Sequence, residues 1–139
     1  MPGKNQKEKP VILVVDDEEL QRQILKDQLE EAGFSVVTAA DGHEGLNRLE
    51  KEDVSLAIFD LVMPGMDGIE LCRKVRESET FGSIPVVFLT GRSELGTEMN
   101  PFQVGADDYL SKPVDPLELV NRVQSILIKH EAYRRLENE

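Results

Sequence analysis

The sequence has almost no cysteine, no long apolar run and no excess of basic charge. Cys72 is its one cysteine. No internal disulfide can form, and a reducing cytoplasm is the simplest home. No apolar stretch approaches the roughly 20 residues that span a bilayer, and the lysine-rich N-terminus has no apolar signal core, so neither export nor a membrane partner is expected. Acidic side chains outnumber basic ones 27 to 16, for a formal charge of -11. Nucleic acid needs a basic face for its phosphates, so direct binding to it is excluded as the leading reading. A basic partner surface or a bound cation fits better. No Gly-rich phosphate loop follows the first apolar run, which argues against a nucleotide site. His43 and His130 have no metal-ligand partners at useful spacing, and nothing around His130 looks like a histidine phosphotransfer motif. No repeat, low-complexity segment or linker divides the 139 residues, a length suited to one domain with a single core.

What is present is a regular alternation of apolar runs and amphipathic stretches. Val11 to Val15 is a β-branched run of the kind buried on both faces of a parallel sheet. A helix follows, with Leu20, Ile24, Leu25, Leu29 and Ala32 on one side and Gly33 as its stop. Phe34 to Ala39 reads as a second strand. Asp41-Gly42 is compatible with a hairpin turn, but Leu46 and Leu49 favour a short helix to about Lys51. Leu56 to Phe59 is a third strand, ended by Asp60 and turned by Pro64-Gly65. Asp67 and Glu70 have the capping-box spacing for a helix with Ile69, Cys72 and Val75 inward. Ile84 to Leu89 is a fourth strand ending in Thr90-Gly91. Arg92 to Val104, interrupted by Gly96 and Asn100-Pro101, predicts a short or irregular helix. Gly105 to Ser111 contains a short fifth strand, followed by Lys112-Pro113. Asp115, Pro116 and Glu118 then open a last helix with Leu117, Val120, Val123 and Leu127 inward. The expected division is a frayed segment 1–9, a folded domain 10–128 and a helical extension 129–139.

Repeated βα units imply a parallel sheet with helices on both faces. All βα loops then leave one edge, so Asp16, Asp17, Asp60, Thr90 and Lys112 can converge there. Three clustered carboxylates repel one another unless a cation joins them. Hard oxygen ligands suit Mg²⁺. With a lysine and a hydroxyl added, the arrangement suits phosphoryl transfer to an aspartate nucleophile.

These residues resemble the receiver domain of two-component response regulators, from about Val11 to Ile128. The matching pieces are Val14-Val15-Asp16-Asp17-Glu18, Phe59 to Gly68, Leu89-Thr90-Gly91 and Gly105 to Pro113. The resemblance implies a flavodoxin-like (βα)5 fold with strand order 2-1-3-4-5. It implies that Asp60 accepts a phosphoryl group from a sensor histidine kinase or histidine phosphotransfer protein, with Mg²⁺ required. Asp17 and Asp60 would bind the metal directly, Asp16 mainly through water, and the Val62 backbone carbonyl would complete the set. Thr90 and Lys112 would bind the phosphoryl oxygens. Thr90 and Tyr109 would act as the switch pair, and the Lys112-Pro113 peptide is often cis in the family. Such a domain helps catalyse its own phosphorylation and dephosphorylation but is not an enzyme with a separate substrate. Val62, two residues after Asp60, is apolar where some relatives are polar, at a position that tunes dephosphorylation in the family.

Two rival readings are weaker. A degenerate receiver, acting as a constitutive interaction module, would not need all five site residues. A Mg²⁺-dependent phosphatase with an aspartate nucleophile would need a second Asp where Val62 stands. Asp107 and Asp108 read as solvated turn residues. Leu119, Ile126 and Tyr133 form a second stripe on the last helix, with Leu136 beside it. That stripe is either a solvated end, a homodimer surface or a link to an output domain.

Overall fold

The structure, a computed structural model, describes residues 9–91 and 104–137. Its strands are β1 (Val11–Val15), β2 (Ser35–Ala39), β3 (Leu56–Asp60), β4 (Val86–Thr90) and β5 (Asp108–Ser111). The described helices are α1 (Glu19–Glu31), α2 (Gly42–Lys51), α3 (Gly68–Arg76) and α4 (Pro116–Glu137). All strand pairs are parallel, in the order β2-β1-β3-β4-β5. The fold is therefore the doubly wound α/β sheet that the alternation implies. The irregular helix expected between Arg92 and Val104 lies outside the described residues, apart from Val104.

The two faces of the sheet explain the continuous apolar runs. Side chains alternate along a strand, so each run feeds two cores. Leu13, Val15, Ala57, Phe59, Val86 and Phe88 pack with Leu49, Leu71, Cys72 and Val75 on the α2–α3 side. Ile12, Val14, Ile58, Val87 and Leu89 pack with Leu25, Leu29, Leu119 and Val123 on the α1–α4 side. Phe59 and Phe88 meet edge to face, with centroids 6.3 Å apart, a favoured aromatic geometry. Cys72 is a buried core residue, and burial pushes its thiol pKa up.

Local signals set the helix ends. Gly33 takes φ +103°, open to glycine at little cost. Asp41 caps α2 by accepting the Glu44 amide at 2.8 Å, so Asp41-Gly42 starts a helix rather than a hairpin. Asp67 caps α3 in the same way through the Glu70 amide, at 2.8 Å. The Lys112-Pro113 peptide is cis.

Three expectations are corrected. Leu20 and Ile24, placed with the inner side of α1, are exposed. On α4, Val123 is buried and Val120 and Leu127 pack against the core as expected, but Leu117 is 68% exposed, and Leu119 and Ile126 of the second stripe join the core instead. Asp107, although exposed in the turn before β5, and Asp108, within β5, are anchors and not merely solvated turn residues. Asp107 Oδ2 accepts the Val86 amide at 2.8 Å and faces Arg76 at 3.4 Å. Asp108 pairs with Arg122 of α4 and accepts the Tyr109 amide at 2.8 Å.

Candidate functional site

Strand register assembles the site. Val15 stands opposite Phe59, so the residues that follow, Asp16 and Asp60, leave the sheet side by side. Asp60 stands opposite Leu89, and Thr90 opposite Ser111, which brings Lys112 to the same edge. Carboxylate oxygens of Asp16, Asp17 and Asp60 all lie within 4.8 Å of one another. Asp16 and Asp60 are buried and Asp17 is exposed. Lys112 Nζ donates to Asp60 Oδ1 at 2.9 Å. Thr90 is buried, and its hydroxyl has no hydrogen-bond partner among the described residues.

Asp16 is held on three sides. Its amide donates to the Ala39 carbonyl at 3.1 Å. Its Oδ1 accepts the Glu18 amide at 2.9 Å. Its carbonyl accepts from Arg22 Nη1 at 2.7 Å. Its Oδ2 is buried without a partner among the described residues. Burial raises the Asp16 carboxyl pKa to about 6, with Asp60 and Asp17 adding repulsion, while the Glu18 amide and Lys112 oppose the rise. A buried carboxylate oxygen without a donor is costly. Three carboxylates around it are the donor set of a hard divalent cation, so the residues present fit such an ion.

The loop after Asp60 is built to pass close to the sheet. The Gly68 amide donates to the Leu61 carbonyl at 2.9 Å. A Cβ on Gly68 would stand 2.5 Å from the Asp60 carbonyl oxygen and 2.9 Å from the Phe88 ring. Gly65 turns the loop at φ +76°. Val62 in this loop is 48% exposed, and Tyr109 on β5 is 36% exposed.

Asp16, Asp17, Asp60 and Lys112 thus come together as the sequence predicts, with Thr90 at the adjoining strand end. Sequence reasoning missed Arg22, and it placed Gly68 in the matched stretch without giving it a role. Gly68 carries a signal in the tight Pro-Gly-Met-Asp-Gly turn. Arg22 has only its position one helical turn after Glu18.

Comparison with known proteins agrees with this geometry. A family model described as the response regulator receiver domain matches residues 12–124. The chain is 40% identical over 120 residues to the alkaline phosphatase synthesis transcriptional regulatory protein PhoP of Bacillus subtilis (strain 168), covering 86% of this chain and 49% of that protein. The chain spans about half the length of the curated relatives it matches. Among solved structures it is similar to a CheY-like response regulator receiver domain protein from Methanospirillum hungatei JF-1, with TM-score 0.82, 33% identity, and 90% and 98% of the two chains covered. It is also similar to the chemotaxis protein CheY4 of Vibrio cholerae, with TM-score 0.73, 33% identity, and 84% and 98% covered.

Proposed function

Because this chain belongs to the response regulator receiver domains, we propose that it receives a phosphoryl group on Asp60 from the phosphohistidine of a sensor histidine kinase or histidine phosphotransfer protein. The aspartyl phosphate then switches a protein-interaction surface. The observation that carries this reading is the joint placement of Asp60 under Lys112 Nζ at 2.9 Å and among two further carboxylates within 4.8 Å.

Each residue has a role that follows from its chemistry. An Asp60 carboxylate oxygen attacks phosphorus, forming an O–P bond as the N–P bond to the donor imidazole breaks. The electron pair returns to the ring nitrogen. Lys112 places positive charge where the phosphoryl oxygens arrive, and the buried Thr90 hydroxyl offers a donor to one of them. Asp16, Asp17, Asp60 and the Val62 backbone carbonyl would hold Mg²⁺. When bound, Mg²⁺ supplies the charge that neutralises the carboxylates and the incoming phosphoryl oxygens. Thr90 moves toward the phosphoryl group in the switched state, and the Tyr109 ring, 36% exposed here, turns inward behind it. Val62 offers no acid or base two residues after the nucleophile, which speaks against a phosphatase acting on a separate substrate.

The named relative PhoP is a transcriptional regulatory protein. By likeness the output is control of transcription, exerted through parts of the system beyond the matched half. Among the described residues no helix is long and apolar enough to cross a membrane, and the domain is assigned to the cytoplasm.

Intact mass after incubation with acetyl phosphate, with and without Mg²⁺, tests the reading. A Mg²⁺-dependent gain of one phosphoryl group, absent in Asp60→Asn, is expected. No gain with either acetyl phosphate or a phosphorylated kinase, in a folded chain that binds Mg²⁺, would leave a constitutive interaction module.

A further inference from the structure

The acidic edge contains one cation whose use is unexpected. Arg22 sits one turn into α1, close in sequence to Asp16, Asp17, Glu18 and Glu19. Among the described residues its guanidinium makes no ion pair with any of them. Instead it donates to a neutral acceptor, the main-chain carbonyl of Asp16, at 2.7 Å. The Arg22 amide meanwhile donates to the Glu18 carbonyl at 3.0 Å, so its own place on the helix is fixed.

We propose that Arg22 is a positioning residue for the cation site: it clamps the exit of β1 to α1 so that the Asp16 carboxylate stays beside those of Asp17 and Asp60. This rests on the proposed Mg²⁺ site and adds to it a residue outside the ligand set. The geometry supports it because Arg22 completes the fixation of Asp16. The Ala39 carbonyl holds the Asp16 amide and the Glu18 amide holds Oδ1. With the carbonyl held by Arg22, Oδ2 is the polar atom left unpartnered among the described residues. Removing the clamp frees the peptide between Asp16 and Asp17, and both carboxylates hang from that peptide.

The clamp and a simple charge effect predict opposite signs. If Arg22 acts only through its charge, it repels a cation, and removing it tightens Mg²⁺ binding. If it acts as a clamp, removing it weakens Mg²⁺ binding by roughly tenfold, the scale seen for residues that orient metal ligands. The experiment is calorimetric titration of Mg²⁺ into the full chain, its Arg22→Met variant and its Arg22→Lys variant, with thermal unfolding in EDTA as the check on folding. Weaker binding in Arg22→Met, with part of the affinity regained in Arg22→Lys, is the expected result. Equal or tighter binding in Arg22→Met overturns the assignment while leaving the metal site in place. If Arg22→Met does not fold, Arg22→Lys decides: affinity equal to the unmodified chain overturns the clamp, because the shorter, unforked ammonium keeps the charge but reproduces the contact with the Asp16 carbonyl only in part. Absence of Mg²⁺ binding by the unmodified chain overturns the metal site and the clamp together.

Discussion

Asp16 is buried where its charge is least welcome, and the consequence is a measurable pH dependence. Its carboxyl pKa is raised from 3.8 to about 6, first by burial. A raised folded-state pKa means that the fold prefers the protonated form. The stability contributed by Asp16 is present in full below its unfolded pKa and is lost as pH rises through about 6. In EDTA the chain should therefore lose, relative to Asp16→Asn, at most about 1.4 kcal/mol between pH 5 and 7.5, roughly half of the whole effect. Urea unfolding of both chains at the two pH values checks this, and parallel profiles would refute it. Mg²⁺ binding has the opposite dependence, because protons compete for the same oxygens. Gly68 is a second single-residue test. Gly68→Ala puts a methyl 2.5 Å from the Asp60 carbonyl oxygen, and the overpacking should cost about 1–3 kcal/mol by urea unfolding. At this scale the sequence is informative for groups that end apolar runs. Asp16, Asp60 and Thr90 interrupt such runs and so stand out. Arg22 does not, because its acceptor is a backbone carbonyl, which every residue possesses.

Elements are joined here by side chains that bond the backbone of a distant strand. Arg76, at the end of α3, donates to the carbonyls of Gly82 at 3.0 Å, Ile84 at 2.7 Å and, through Nε, Gly105 at 3.1 Å. Asp107 joins this set by accepting the Val86 amide at 2.8 Å, while its own amide donates to the Val86 carbonyl at 2.8 Å. The start of β4 and the approach to β5 are thereby fastened to α3. Asp107→Ala leaves the buried Val86 amide without its side-chain acceptor, for an expected cost of about 1–3 kcal/mol. Hydrogen exchange should show Val86 losing protection while the amides of β1 and β3 keep theirs. Uniform loss across the sheet would mean that Asp107 supports the whole domain rather than this junction. None of this is legible in Gly-Ala-Asp-Asp read alone, because the partners Val86 and Arg122 lie far along the chain. Strand existence was legible, since buried runs alternate with capped helices, while the strand order followed only from the resemblance to receiver domains. The width of the inner face of α4 was only partly legible: Val120, Val123 and Leu127 face the core as expected, Leu117 does not. Leucines at 117, 119 and 127 are alike in sequence, and only the packing of Leu119, Val123 and Leu127 against the core leaves Leu117 outside.

At the scale of the whole molecule, a formal charge of -11 creates two routes by which Mg²⁺ can stabilise the fold. Diffuse screening relieves self-repulsion, depends on ionic strength and has no saturation point set by a site. Specific binding among Asp16, Asp17 and Asp60 saturates at one equivalent and follows mass action. At a hundred times the dissociation constant it adds about 2.7 kcal/mol, which for a chain of this size raises the melting temperature by roughly 10 °C. The two routes separate in one experiment: thermal unfolding across a Mg²⁺ series at ionic strength held constant with NaCl. Asp17→Asn is the discriminating variant. Asp17 is exposed, so its substitution leaves the core intact while removing one carboxylate from the cluster. A rise in the unmodified chain that grows with the logarithm of Mg²⁺ concentration above the dissociation constant, and that is lost or weakened in Asp17→Asn, assigns the stabilisation to the site. An equal rise in both chains assigns it to net charge, and the acidic cluster would then have to be explained by its effect on Asp60 alone.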